Sequence, residues 1–125
     1  SIAQKAAVEA LDGPQDTVER MREEFDQRRM HMMDRVRAMP HVDFAEPKGA
    51  FYLFIDLSAI IGKEYQGKKI ESAADAADIL LEDFYVAVVP CADFGFPNHM
   101  RLSYAISLVQ IEAGLNRIEK FLKML

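Results

Sequence analysis

The segment "FYLFIDL", Phe51 to Leu57, constrains the fold most, because it is aromatic and almost continuously apolar. A strand with one wet face alternates apolar and polar side chains, so this run reads as a strand covered on both faces. Helices able to cover it are present. "SIAQKAAVEAL" is alanine-rich, with Ser1 and Gln4 placed for a capping box. "DGP" at Asp12 to Pro14 then breaks the chain, with Pro14 suited to the first turn of a second helix. That helix should run to about Met39. Val18, Met21, Phe25, Met32, Val36 and Met39 recur at three-and-four spacing, and Pro40 stops it. A third helix starts at Ser72, capped by Asp75, and reaches about Phe84. The last, capped by Ser107 with Gln110, carries the stripe Ile111, Leu115, Ile118, Leu122 and Leu125. Short strands are expected at Val42 to Ala45, at "VAVV" (Val86 to Val89, ended by Pro90) and at "MRLSYAI". "GKEYQGKK" reads as a polar loop. The order predicts an α+β fold, a small mixed β-sheet packed with helices.

Length and charge narrow the function. A chain of 125 residues, half of them hydrophobic and 28% charged, has the size and composition of one globular domain. A net charge of −5 argues against nucleic acid as a partner, since Lys68-Lys69 is a pair and not a basic stripe. Cys91 is the only cysteine, which excludes an internal disulfide and suits a reduced, cytoplasmic setting. No apolar run reaches the roughly eighteen residues of a membrane span, and no signal-peptide pattern opens the chain. Ser1 begins a helix almost at once, so the expectation is a processed start or a piece of a longer polypeptide.

Few residues suggest chemistry directly. His31, His41 and His99 lie far apart without ligand spacing, so no metal site is expected. Cys91 after Pro90 has no basic sequence neighbour and reads as a small residue in a tight turn. The methionines 30, 32, 33 and 39 read as adaptable packing. "PKGAFYLF" and "DFGFPNHMRLSYA" each set a glycine or proline turn and aromatic side chains beside a strand. In the second, Arg101 faces away from Leu102 and Tyr104. It is either a solvated arginine on an open strand face or a fork for a carboxylate, and spacing does not choose between them.

"EPKGAFYLFIDLS" followed by "VAVVPCADFGFPNHMRLSYAIS" resembles the C-terminal part of class I and II pyridoxal-phosphate aminotransferases, in the bacterial aspartate-type branch. "SIAQKAAVEALDGPQDTVERMREEFDQRR" resembles the segment where that family's chain leaves the large cofactor domain for the small one. The resemblance implies that residues 1–13 end the connecting helix and that 14–125 form the small domain. It implies that Arg101 binds the substrate α-carboxylate, that Phe51 walls the substrate pocket, and that Gly49 permits the turn before it. It also implies pyridoxal phosphate in the full-length enzyme, a homodimer, and amino-acid and 2-oxo-acid substrates. The cofactor's Schiff-base lysine, the acid on its ring nitrogen and its phosphate cup belong to the large domain in the family. Lys5, Lys48, Lys63, Lys68, Lys69, Lys120 and Lys123 lie outside the family's lysine motif. No catalytic or cofactor-binding residue is therefore expected in this chain, and it should be inactive alone. One departure is Cys91, where relatives commonly place glycine after "VVP"; a positive φ there would strain the turn. Two rival expectations are a free-standing amino-acid or keto-acid sensor built on Arg101, and an interaction domain using exposed helices.

Overall fold

The computed structural model describes residues 1–125. Four helices, α1 (Ile2–Asp12), α2 (Asp16–Arg37), α3 (Ala73–Phe84) and α4 (Leu108–Leu122), accompany six strands. These are β1 (Asp43–Phe44), β2 (Tyr52–Asp56), β3 (Glu64–Tyr65), β4 (Lys68–Lys69), β5 (Val89–Cys91) and β6 (Phe96–Ser103). The class is α+β, as expected. The main sheet has the order β1-β2-β6-β5, and its pairings are all antiparallel where a mixed sheet was expected.

Capping explains the helix starts. Ser1 and Gln4 form the reciprocal box on α1, and Ser72 and Asp75 form it on α3. The backbone amides of Glu71 and Ser72 and the Ser72 hydroxyl all donate to the Asp75 carboxylate, which holds its pKa below the ordinary range. On α4 the Ser107 hydroxyl accepts from the Gln110 backbone amide and donates to the Gln110 side-chain carbonyl, but the Ser107 amide does not join in, so the reciprocal box is incomplete. Pro14 lies outside α2, whose N-cap is Gln15, and α2 ends at Arg37, just short of Pro40.

One continuous core fills the space between the helices and one face of the sheet. Leu53, Ile55, Met100 and Leu102 supply the sheet side. Met32, Met33 and Val36 come from the second half of α2, and Ile111, Leu115, Ile118, Phe121 and Leu122 from α4. Each such side chain contributes about 1.5–3 kcal/mol relative to exposure. The first half of α2 departs from the expected stripe: Val18 and Met21 stay exposed, and α1 buries none of its residues. Across the helix interface, Arg35 of α2 is bound by Glu112, Asn116 and Glu119 of α4, and His31 also meets Glu112.

Three local expectations change. "GKEYQGKK" holds a hairpin, β3–β4, whose Gln66 and Gly67 both take positive φ (50° and 80°), the pairing demanded by a tight two-residue turn. Tyr65 of that hairpin is buried against Phe84 and Phe121. The strand expected at Val86–Val89 begins only at Val89 and runs through Pro90 to Cys91. Proline is tolerated because β5 is an edge strand. Finally, β2 is covered on one face only: Leu53 and Ile55 are buried, while Tyr52, Phe54 and Asp56 are half-buried on the other.

Candidate functional site

That half-open face of β2 and β6 carries the candidate site. Antiparallel register sets Arg101 directly across from Phe54 on one side and Val89 on the other. Cross-strand partners share a face, so Arg101, Phe54 and Tyr52 stand together opposite the core. The loop between β5 and β6 then folds over them. It is a short 3-10 turn, Ala92–Phe94, reversed by Gly95 at φ 85°, where glycine is needed for the left-handed geometry.

The turn brings Phe94 onto Arg101. The guanidinium carbon lies 4.5 Å from the Phe94 ring centroid and 4.9 Å from that of Tyr52, a sandwich between two aromatic faces. Arg101 makes no ion pair within 4.0 Å, and its buried Nε is the one buried side-chain polar atom lacking a hydrogen-bond partner. Elsewhere Arg22, Arg28, Arg29, Arg35 and Arg37 all meet carboxylates. A buried donor without a partner is expensive, and a charged one more so. Arg101 is thus half-buried against two aromatic rings, with Nε desolvated and no carboxylate of this chain on its guanidinium.

The nearby acid does not compete. Asp56, further along the same face, accepts from the Ser58 hydroxyl and amide at 2.6 and 2.8 Å, and His99 Nε2 lies 3.9 Å away. The Ser58 hydroxyl is the main reason its carboxyl sits below the ordinary range. His99 stacks on Phe54 with ring centroids 4.7 Å apart.

Of the other expected residues, Phe51 packs its ring against Tyr52 at 4.2 Å, so an aromatic row leads from it to Arg101. Gly49 sits apart. It lines a 370 Å³ cavity between α2 and the turn, with Arg22, Phe25, Asp26, Arg29, Lys48, Ala50 and Tyr104. The positive φ of this turn falls on Ala50 (59°), not on Gly49, where an added β-carbon would meet open space. Cys91 takes φ −113°, so the strain anticipated there is absent. Its thiol donates to the Val89 carbonyl at 3.4 Å, and burial pushes its pKa up against the opposing influence of Arg101. Sequence reasoning missed Tyr52 and Phe94 as the plates around Arg101. The available signal was the placement of aromatic residues at both turns.

The sole unspent buried donor is a guanidinium nitrogen, and the lysines lie at the surface except half-buried Lys63. Lys63 donates to the Leu125 carbonyl and meets His41, while exposed Lys48 lines the cavity beside Gly49.

The family model for aminotransferase class I and II matches residues 1–118. The aspartate aminotransferase of a Bacillus species (strain YM-2) is 40% identical over 123 residues, 98% of this chain. The probable aspartate/prephenate aminotransferase of Aquifex aeolicus is 38% identical over 125 residues. The crystal structure of the aspartate aminotransferase from Rhizobium meliloti superposes with a TM-score of 0.91 at 39% identity, covering 95% of this chain and 30% of that one. An alanine aminotransferase from Pyrococcus furiosus superposes at 0.85 with 25% identity, over 98% of this chain and 30% of its own. The chain spans about 30% of the length of the curated relatives it matches. It belongs to the class I and II aminotransferase family.

Proposed function

We propose that this chain is the C-terminal small domain of a pyridoxal-phosphate-dependent aminotransferase, and that Arg101 holds the α-carboxylate of its amino-acid substrate. The observation that carries the reading is the Arg101 guanidinium, held against the Tyr52 and Phe94 rings without any carboxylate of this chain on it. Two parallel N–H donors on a planar fork fix a carboxylate in position and in rotation, which lysine cannot do. Holding the carboxylate this way fixes the α-carbon, so its C–H bond keeps one orientation toward the reacting centre. Phe51 walls the pocket beside Tyr52, and Gly49 leads the chain into that turn.

The remaining parts belong to the rest of the polypeptide. Pyridoxal phosphate, its lysine and its phosphate cup sit in the large domain, and the enzyme works as a homodimer in the cytoplasm. Residues 1–13 end the connecting helix and 14–125 form the small domain. In support, Ile2, Val8 and Leu11 of α1 are 89%, 58% and 81% exposed, apolar side chains that α1 leaves uncovered and that suit packing on a further domain. No helix is long and apolar enough to cross a membrane. The names of the relatives favour aspartate as donor, with 2-oxoglutarate as acceptor; the amino group moves to the oxo acid while aspartate becomes the new 2-oxo acid.

The test is to assay the complete polypeptide containing this chain for glutamate formation from aspartate and 2-oxoglutarate. Arg101→Ala should lower kcat/KM by about 30- to 150-fold, corresponding to roughly 2–3 kcal/mol for a charge-assisted bidentate contact. Wild-type efficiency in Arg101→Ala would refute the assignment.

A further inference from the structure

Ala50 holds a conformation that its own chemistry disfavours. Its φ of 59° is left-handed, a region that a residue with a β-carbon keeps only when its surroundings impose it. Gly49 beside it does not take up the strain. Two hydrogen bonds do the holding, and both come from one residue. The Tyr104 hydroxyl donates to the Ala50 carbonyl at 3.0 Å, and the Tyr104 amide donates to the Phe51 carbonyl at 2.9 Å. Tyr104 is 1% exposed, and its ring meets Phe25 of α2 edge-on at 6.5 Å. It lies just past β6, on the same run of chain that presents Arg101.

We propose that Tyr104 is a positioning residue for amino-acid binding, locking the strained Ala50–Phe51 turn to the strand that carries Arg101. The inference rests on the reading of Arg101 and Phe51 above. Without the hydroxyl, Ala50 can relax toward negative φ, which rotates its carbonyl and swings Phe51 away from Tyr52 and the guanidinium. With the hydroxyl in place, the wall and the carboxylate fork keep a fixed separation. A wall contact of this kind acts alike on bound substrate and transition state, so it governs KM and leaves kcat nearly alone.

The experiment compares Tyr104→Phe, Ala50→Gly and the double variant in the complete polypeptide. It reads KM and kcat for aspartate, the melting temperature, and hydrogen exchange of a peptide spanning residues 48–54. Tyr104→Phe should raise KM about fivefold with kcat held within about twofold, the loss expected for one buried hydrogen bond. Exchange at the turn should quicken. Ala50→Gly added to Tyr104→Phe should return KM to within about twofold of wild type, because glycine occupies positive φ without strain. A lower melting temperature with KM and turn exchange unchanged would overturn the proposal and leave Tyr104 as a core residue whose hydroxyl merely finds the nearest acceptor. Arg101→Ala measured alongside separates the two claims. If KM is insensitive to Arg101→Ala, the site reading fails, while turn exchange in Tyr104→Phe still decides whether Tyr104 holds the turn.

Discussion

Removing the Phe94 ring tests how the guanidinium is held. Phe94 stands 4.5 Å from the Arg101 guanidinium carbon but is 59% exposed, whereas Tyr52, at 4.9 Å, is half-buried on the sheet. An exposed cation–π contact contributes about 0.5–1 kcal/mol and a desolvated one about 2 kcal/mol. Phe94 belongs at the low end, and losing it also admits water to the orphaned Nε, which offsets part of the loss. Phe94→Ala should therefore weaken a substrate-like dicarboxylate such as maleate by about three- to fivefold, some 0.7–1 kcal/mol. Calorimetric titration of the complete polypeptide measures this. The decisive control is Arg101→Ala, on which the same Phe94→Ala change should add almost nothing, since the ring acts through the guanidinium. Equal losses in both backgrounds would refute the reasoning and make Phe94 a direct ligand contact.

Three further outcomes follow from the packing and the charges. Phe121 is 1% exposed between Tyr65 and Phe84, so Phe121→Ala should destabilise by about 3–5 kcal/mol, read as a fall in melting temperature of roughly 10–20 °C. Arg35 chiefly, with His31, holds Glu112 below the ordinary carboxylate range, so that its stabilisation is complete above the unfolded value and fades as pH falls through the lowered one. Melting curves taken from pH 6 downward should show Glu112→Gln losing part of that acid-side slope; an unchanged slope contradicts the α2–α4 tie. Cys91, buried and with its pKa raised, should resist a thiol reagent in the native protein and react on unfolding, followed by absorbance of the released chromophore.

Local chemistry made the helices readable. Ser1, Ser72 and Ser107 marked three starts, and the α4 stripe needed only its own spacing. Sheet details resisted because they depend on distant partners. "FYLFIDL" looked covered on both faces because aromatic residues lining an open site read the same as residues lining a core. Tyr52 and Phe54 gain their meaning only once β6 places Arg101 beside them. The β3–β4 strands, two residues each, are too short to show a period. The start of β5 was misplaced because Val86 and Val88 pack partly against the core without joining the ladder. Arg101 itself was visible as a candidate, but its sandwich was not. Phe94 reaches it through a loop whose path depends on Gly95 and on the register shift between Pro90 and Cys91.

The most direct test of the central claim is the affinity of the complete polypeptide for maleate, measured for wild type and Arg101→Lys. Lysine keeps the charge and loses the planar fork and the stacking. The account predicts that Arg101→Lys weakens binding by at least about tenfold, the loss of one charge-assisted hydrogen bond and its aromatic support. Binding within about twofold of wild type would mean that charge alone suffices and that the Arg101 fork is not what grips the carboxylate.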